Sequence, residues 1–83
     1  MKNRAKYYGL VLADERKRQG YSQEALGLEI GLGQSEVSDA ENGKHLKRDY
    51  DPLCNALGIT FLTLMLRADA LAKEEAGHEK GTQ

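Results

Sequence analysis

The sequence predicts an all-α domain of five helices, and three observations carry that expectation. Ala, Leu, Glu, Lys and Arg are abundant while β-branched residues are scarce, which favours helix over strand. Apolar residues recur at helical spacing along most of the chain. Nine glycines and one proline punctuate that pattern, and 83 residues allow one domain with one core.

The first helix is expected over about Arg4–Gln19, with Tyr8, Val11 and Leu12 on one face and Gly20 as its stop. Ser22, a good N-cap, opens a short second helix that carries Leu26 and Ile30 one turn apart. Gly31-Leu32-Gly33 reads as a tight turn in which glycine can take a positive φ. A third helix follows over about Gln34–Asn42, with Val37 and Ala40 inward and Glu41-Asn42-Gly43 as its exit. The fourth starts near Asp49. Pro52 falls in its first turn, where a missing N–H costs little, and Tyr50, Leu53 and Leu57 make its apolar stripe up to Gly58. Thr60 caps a fifth helix that reaches about Ala76, with Gly77 just past its end. The domain is thus read as residues 1–76 and residues 77–83 as a frayed polar tail.

Composition narrows the function classes. The lone Cys54 can form neither an internal disulfide nor a zinc site built on Cys pairs, and reads as a small buried apolar group. His45 and His78 stand at no metal-ligand spacing to carboxylates or to Cys54. With no nucleophile–base pairing and no Gly-rich phosphate loop either, no metal, no cofactor and no catalysis are expected. No stretch approaches the ~18 apolar residues of a membrane span and no apolar leader precedes the first helix, so a cytoplasmic protein is expected. The net charge of −1 is unhelpful to a nucleic-acid binder, but its distribution is informative. Residues 1–20 hold six basic and two acidic side chains, residues 21–43 hold five acids and no Lys or Arg, and Lys44, Lys47 and Arg48 then return together. Lys2, Arg4 and Lys6 read as a solvated terminus rather than as an arm that reaches DNA.

Two short helices joined across a Gly-containing turn, over about residues 22–42, form a helix-turn-helix unit. Three blocks make the pattern specific. They are Gly20-Tyr21-Ser22-Gln23-Glu24-Ala25-Leu26, Gly31-Leu32-Gly33-Gln34-Ser35-Glu36-Val37-Ser38 and Glu41-Asn42-Gly43-Lys44, with Ala56-Leu57-Gly58-Ile59 further on. In this order and spacing they resemble the phage-repressor family (Cro and λ-repressor-like, or Xre) over roughly residues 8–66. The resemblance implies a λ-repressor-like DNA-binding domain acting as a transcriptional regulator of phage-repressor, controller or antitoxin type. Such a regulator binds double-stranded operator DNA, an inverted repeat, as a homodimer.

Physics accounts for the residue types. A recognition helix enters the major groove with its N-terminal residues at base edges, where amide and hydroxyl side chains can bond bases. Gln34 and Ser35 occupy those positions, and Glu36 and Asp39 on the same helix could accept from a cytosine amino group. Gln23 opens the second helix, where N–H groups and the helix dipole favour a phosphate oxygen. The resemblance implies that Gln23 touches the DNA backbone and braces Gln34 on an adenine, and that Asn42 and Lys44 also contact the backbone. Ser38 is placed with them, and the Arg16–Arg18 cluster is a further source of phosphate contacts. The resemblance also pairs Arg16 with Glu41 as a structural ion pair.

Departures from the family pattern are Glu36 and Asp39, where neutral or basic residues are commoner, and Gly33 in place of a Ser or Thr cap. Gly27 stands where Ala is preferred, at a cost of up to ~1 kcal/mol in helix propensity. The segment after Lys44 is shorter than usual, which weakens Lys47 and Arg48 as contacts. The fifth helix is apolar on nearly every side from Phe61 to Leu66. Phe61, Leu64, Met65 and Ala68 are expected to cover the core, leaving Leu62, Leu66 and Ala70 for a dimer partner. The acidic third helix also fits a second reading, a protein-interaction module that keeps the fold without binding DNA.

Overall fold

The computed structural model describes residues 4–44 and 49–81; Lys2, His45, Lys47 and Arg48 lie outside them. Among the described residues the chain forms α1 (Arg4–Arg18), α2 (Gln23–Ile30), α3 (Gln34–Glu41), α4 (Asp51–Leu57) and α5 (Phe61–Gly81), with no strand. This is the five-helix architecture expected from the sequence, with the helix-turn-helix at α2 and α3.

Local devices set most of the boundaries. The Ser22 hydroxyl accepts the Ala25 N–H at 3.0 Å and so caps α2, and Thr60 does the same for the Thr63 N–H of α5. At the other end of α2, Gly31 takes φ 74°, a left-handed conformation that L side chains rarely adopt. This lets the N–H groups of both Gly31 and Leu32 turn back onto the Gly27 carbonyl. Helix α4 begins at Asp51, slightly after the expected start, because the Asp49 carboxylate accepts the Asp51 N–H at 3.1 Å and stays outside the helix. The larger correction concerns α5, which continues to Gly81 instead of stopping before Gly77. A glycine inside a helix costs only ~1 kcal/mol, and the helix formers around it carry the backbone through.

The helices bury one core, with α1 packed on α5 and α3, and α2 packed on α3 and α4. Leu12, Leu26, Leu53, Leu64, Val37 and Cys54 are its largest fully buried side chains. Each buried Leu contributes about 1.5–3 kcal/mol against leaving it in water. Burial, with the Asp51 carboxylate adding to it, pushes the Cys54 thiol up to about 11, so it packs as a neutral group. Between α4 and α5 the chain turns by 94°, which lays α5 across α1. Tyr8, Tyr50 and Phe61 meet there, the Tyr8 ring edge-on to Tyr50 at 5.0 Å and to Phe61 at 5.8 Å.

The core face of α5 is narrower than expected. Leu64, Ala68 and Ala72 are buried, whereas Phe61 and Met65 each keep 36% of their surface exposed. A three-sided contact on the Glu15 carboxylate locks α5 to α1: Arg67 Nη1 donates at 2.9 Å, Gln19 Nε2 at 2.8 Å and Arg18 Nη1 at 3.3 Å. Gln19 Nε2 also donates to the Leu57 carbonyl at 2.7 Å, which brings the end of α4 into the cluster. The Gln19 hydrogen bond, and after it that from Arg67, holds the Glu15 carboxyl below its ordinary range. Among the described residues no single helix is long and apolar enough to cross a membrane.

Candidate nucleic-acid interface

Helical spacing divides α3 into two faces. Val37, Ala40 and Glu41 point inward and are buried, while Gln34, Ser35, Asp39 and Asn42 are exposed and Ser38 is half-buried on the opposite side. Close backbone approaches press α3 against its neighbours. A Cβ added at Gly9 of α1 would lie 2.3 Å from the Glu41 carbonyl oxygen and 2.6 Å from that of Ala40. One added at Gly27 would lie 2.5 Å from the Leu32 carbonyl oxygen, so the glycine that costs α2 propensity lets its turn close against α3.

Beneath the exposed face lies a buried ion pair. Arg16 Nε donates to Glu41 Oε2 at 2.6 Å and Arg16 Nη2 to Glu41 Oε1 at 3.1 Å, a two-pronged pairing with both side chains under 10% exposed. The third arm of the guanidinium, Nη1, donates to the Tyr21 carbonyl at 2.8 Å. The pair therefore ties α1, the approach to α2 and the end of α3 together, as the resemblance implied. It also takes Arg16 out of the cluster expected to meet phosphates, leaving Lys17 and Arg18 exposed on α1.

The other expected contact residues divide by whether they are engaged inside the molecule. Gln34, Ser35 and Asp39 are exposed and make no side-chain hydrogen bond among the described residues. Glu36 turns back on its own helix, its carboxylate accepting the Gly33 N–H at 3.3 Å. It satisfies the Gly33 N–H, the half of a capping box that needs no side chain at Gly33, and its charge lies at the positive end of the helix dipole. Gln23 is half-buried, and its amide Nε2 donates to Glu41 Oε1 at 3.0 Å. Asn42 Nδ2 donates to Ser38 Oγ at 3.3 Å. The Lys44 N–H returns to the Asp39 carbonyl at 2.7 Å while its side chain stays exposed.

Two groups were not singled out from the sequence. Gly9 is the one glycine inside the expected first helix, and an isolated glycine in a helical pattern is a signal of a packing reason there. Glu15, Gln19 and Arg67 meet only through the fold, and no local pattern joins them. Among the described residues no three His, Cys, Asp or Glu side chains converge as a metal site requires.

A family model described as helix-turn-helix matches residues 12–49, the span from the middle of α1 to the approach of α4. No curated protein sequence matches the chain. The matched span holds the capped α2, the left-handed turn at Gly31, the two-faced α3 and the ion pair beneath it; residues 12–49 of this chain are a helix-turn-helix of the Xre, Cro and λ-repressor family of DNA-binding regulators.

Proposed function

We propose that the chain is a sequence-specific transcriptional regulator that binds an inverted-repeat operator as a homodimer, with the outer face of α3 in the major groove. The observation that carries this reading is the state of that face. Gln34 and Ser35 stand at the first turn of α3, exposed and with side chains that make no hydrogen bond among the described residues, where a recognition helix meets base edges. Gln34 then bonds a base through its amide and Ser35 through its hydroxyl, and Asp39 accepts from a cytosine amino group one turn further on. Gln23, Asn42, Lys44 and Ser38 flank the groove and hold phosphates. Glu36 is engaged at its own helix start and is the weakest of the base-reading candidates.

The dimer is assigned to α5. Leu62 and Leu66 are 59% and 61% exposed and Ala70 is exposed one turn beyond, a continuous apolar strip on the outer side of the helix. A cleft of about 180 Å³ between α1 and α5, lined by Tyr7, Tyr8, Met65 and Leu66, adjoins the strip and offers room for a partner's side chain. A two-fold axis there would present two α3 helices to half-sites ~34 Å, one turn of DNA, apart.

Salt dependence tests the reading. If the dimer neutralises about six phosphates, log K for an enriched operator duplex falls with log[salt] at a slope near −5. Fluorescence anisotropy of a labelled duplex measures the slope. Absence of binding at low salt contradicts the proposal.

A further inference from the structure

Glu41 accepts more than its ion-pair partner. Its Oε2 takes Arg16 Nε, but its Oε1 takes both Arg16 Nη2 at 3.1 Å and the amide of Gln23 at 3.0 Å. We propose that Glu41 is a positioning residue for DNA binding, presetting the Gln23 amide so that its second N–H and its carbonyl oxygen are presented at the start of α2. The inference rests on the DNA-binding reading above and adds to it a residue that touches no DNA itself.

The chemistry of the contact fixes the orientation. A carboxylate oxygen accepts and does not donate, so Nε2 must face Glu41 and Oε1 must face away. Glu41 is itself held by two guanidinium bonds, with its side chain 6% exposed, so the anchor has little freedom to pass on. Arg16 Nη1 meanwhile holds the carbonyl of Tyr21, which fixes the backbone just before Gln23. Backbone and side chain of the first residue of α2 are therefore set by one cluster. The Arg16–Glu41 pairing does not itself require Gln23, since both carboxylate oxygens are already satisfied by the guanidinium. The charge balance also matters. A lone carboxylate near the DNA backbone would repel phosphate, whereas here the guanidinium offsets it and a neutral amide is what faces outward.

A double-mutant cycle on the full chain tests the assignment, using a labelled random-sequence duplex at low salt, since a phosphate contact does not depend on sequence. Gln23→Ala should weaken binding about tenfold, the scale of one good contact. Glu41→Gln should weaken the wild type by a similar factor and have no further effect in the Gln23→Ala background. Equal losses from Glu41→Gln in both backgrounds would overturn the positioning role, because a merely structural ion pair acts whether or not Gln23 is present. If Glu41→Gln does not fold, the apolar pair Arg16→Met with Glu41→Leu removes the acceptor without stranding a charge, and the same cycle is run with it. A second readout needs no variant: in the free protein, one Gln23 side-chain amide proton should be shifted downfield and protected from exchange. An unshifted, freely exchanging amide would overturn the proposal. A wild-type chain that binds no duplex would instead overturn the DNA-binding reading on which the proposal stands.

Discussion

At the scale of single residues, the recognition unit is held by groups that make close approaches or share one acceptor. Gly9 is the tightest of these, because α1 crosses the end of α3 where a Cβ would meet two backbone carbonyl oxygens. Helix propensity alone would make Gly9→Ala stabilising by up to ~1 kcal/mol. The crossing predicts the reverse, a net loss of about 2 kcal/mol or more, since backbone must move to admit the methyl. Urea unfolding of the variant measures it, and a raised midpoint would contradict the packing described here. Some of this scale was legible in advance. The Arg16–Glu41 pair followed from the resemblance, and Cys54 from the burial habit of a lone thiol. The bond from Gln23 to Glu41 was not legible, because it depends on how two helices are set against each other and on which oxygen of a shared carboxylate faces Gln23.

Among the elements, α3 is short and acidic, and its start is capped by its own Glu36. From sequence Glu36 reads as a base reader; the Gly33 N–H gives it a nearer partner, which a carboxylate three residues into a helix reaches. Helix α5 was legible as a long apolar helix capped at Thr60, but not in its far end, since one glycine is a weak stop when helix formers surround it. The joint between α5, α1 and α4 has a pH signature. Glu15 has a lowered pKa in the fold, so its contribution to stability is present above its unfolded value, near 4.5, and is lost as pH falls through the folded value. The stability difference between wild type and Glu15→Gln should therefore be largest near neutral pH and shrink progressively below about 4.5. Denaturant unfolding across that range checks it. A difference that stays constant down to strongly acid pH would show that the charge of Glu15 contributes nothing.

For the molecule as a whole, the helix-turn-helix gives the means to read DNA, and the strip on α5 is the interface proposed to let it read twice. Apolar periodicity made the five-helix core visible in the sequence, because a helix in a chain this small must bury a stripe to be stable. The outer strip was visible for the complementary reason: Leu62 and Leu66 lie off the core stripe, and the fold leaves both exposed. Leu66→Glu places a charge in that strip. It should yield a folded monomer in sedimentation at micromolar concentration, with operator affinity lowered by at least about tenfold, since half-sites no longer act together. A wild type that sediments as a monomer, with affinity untouched by the substitution, would remove α5 as the interface.

On the proposed function, Gln34 and its neighbours on α3 read a sequence. The direct measurement is selection of a randomised duplex library by the wild-type chain and by Gln34→Ala, followed by sequencing of what each retains. The wild type should retain an inverted repeat. Gln34→Ala should retain the same repeat with one base-pair preference relaxed in each half-site, worth about 1–3 kcal/mol there. No enrichment by the wild type, or an identical preference from both proteins, would contradict it.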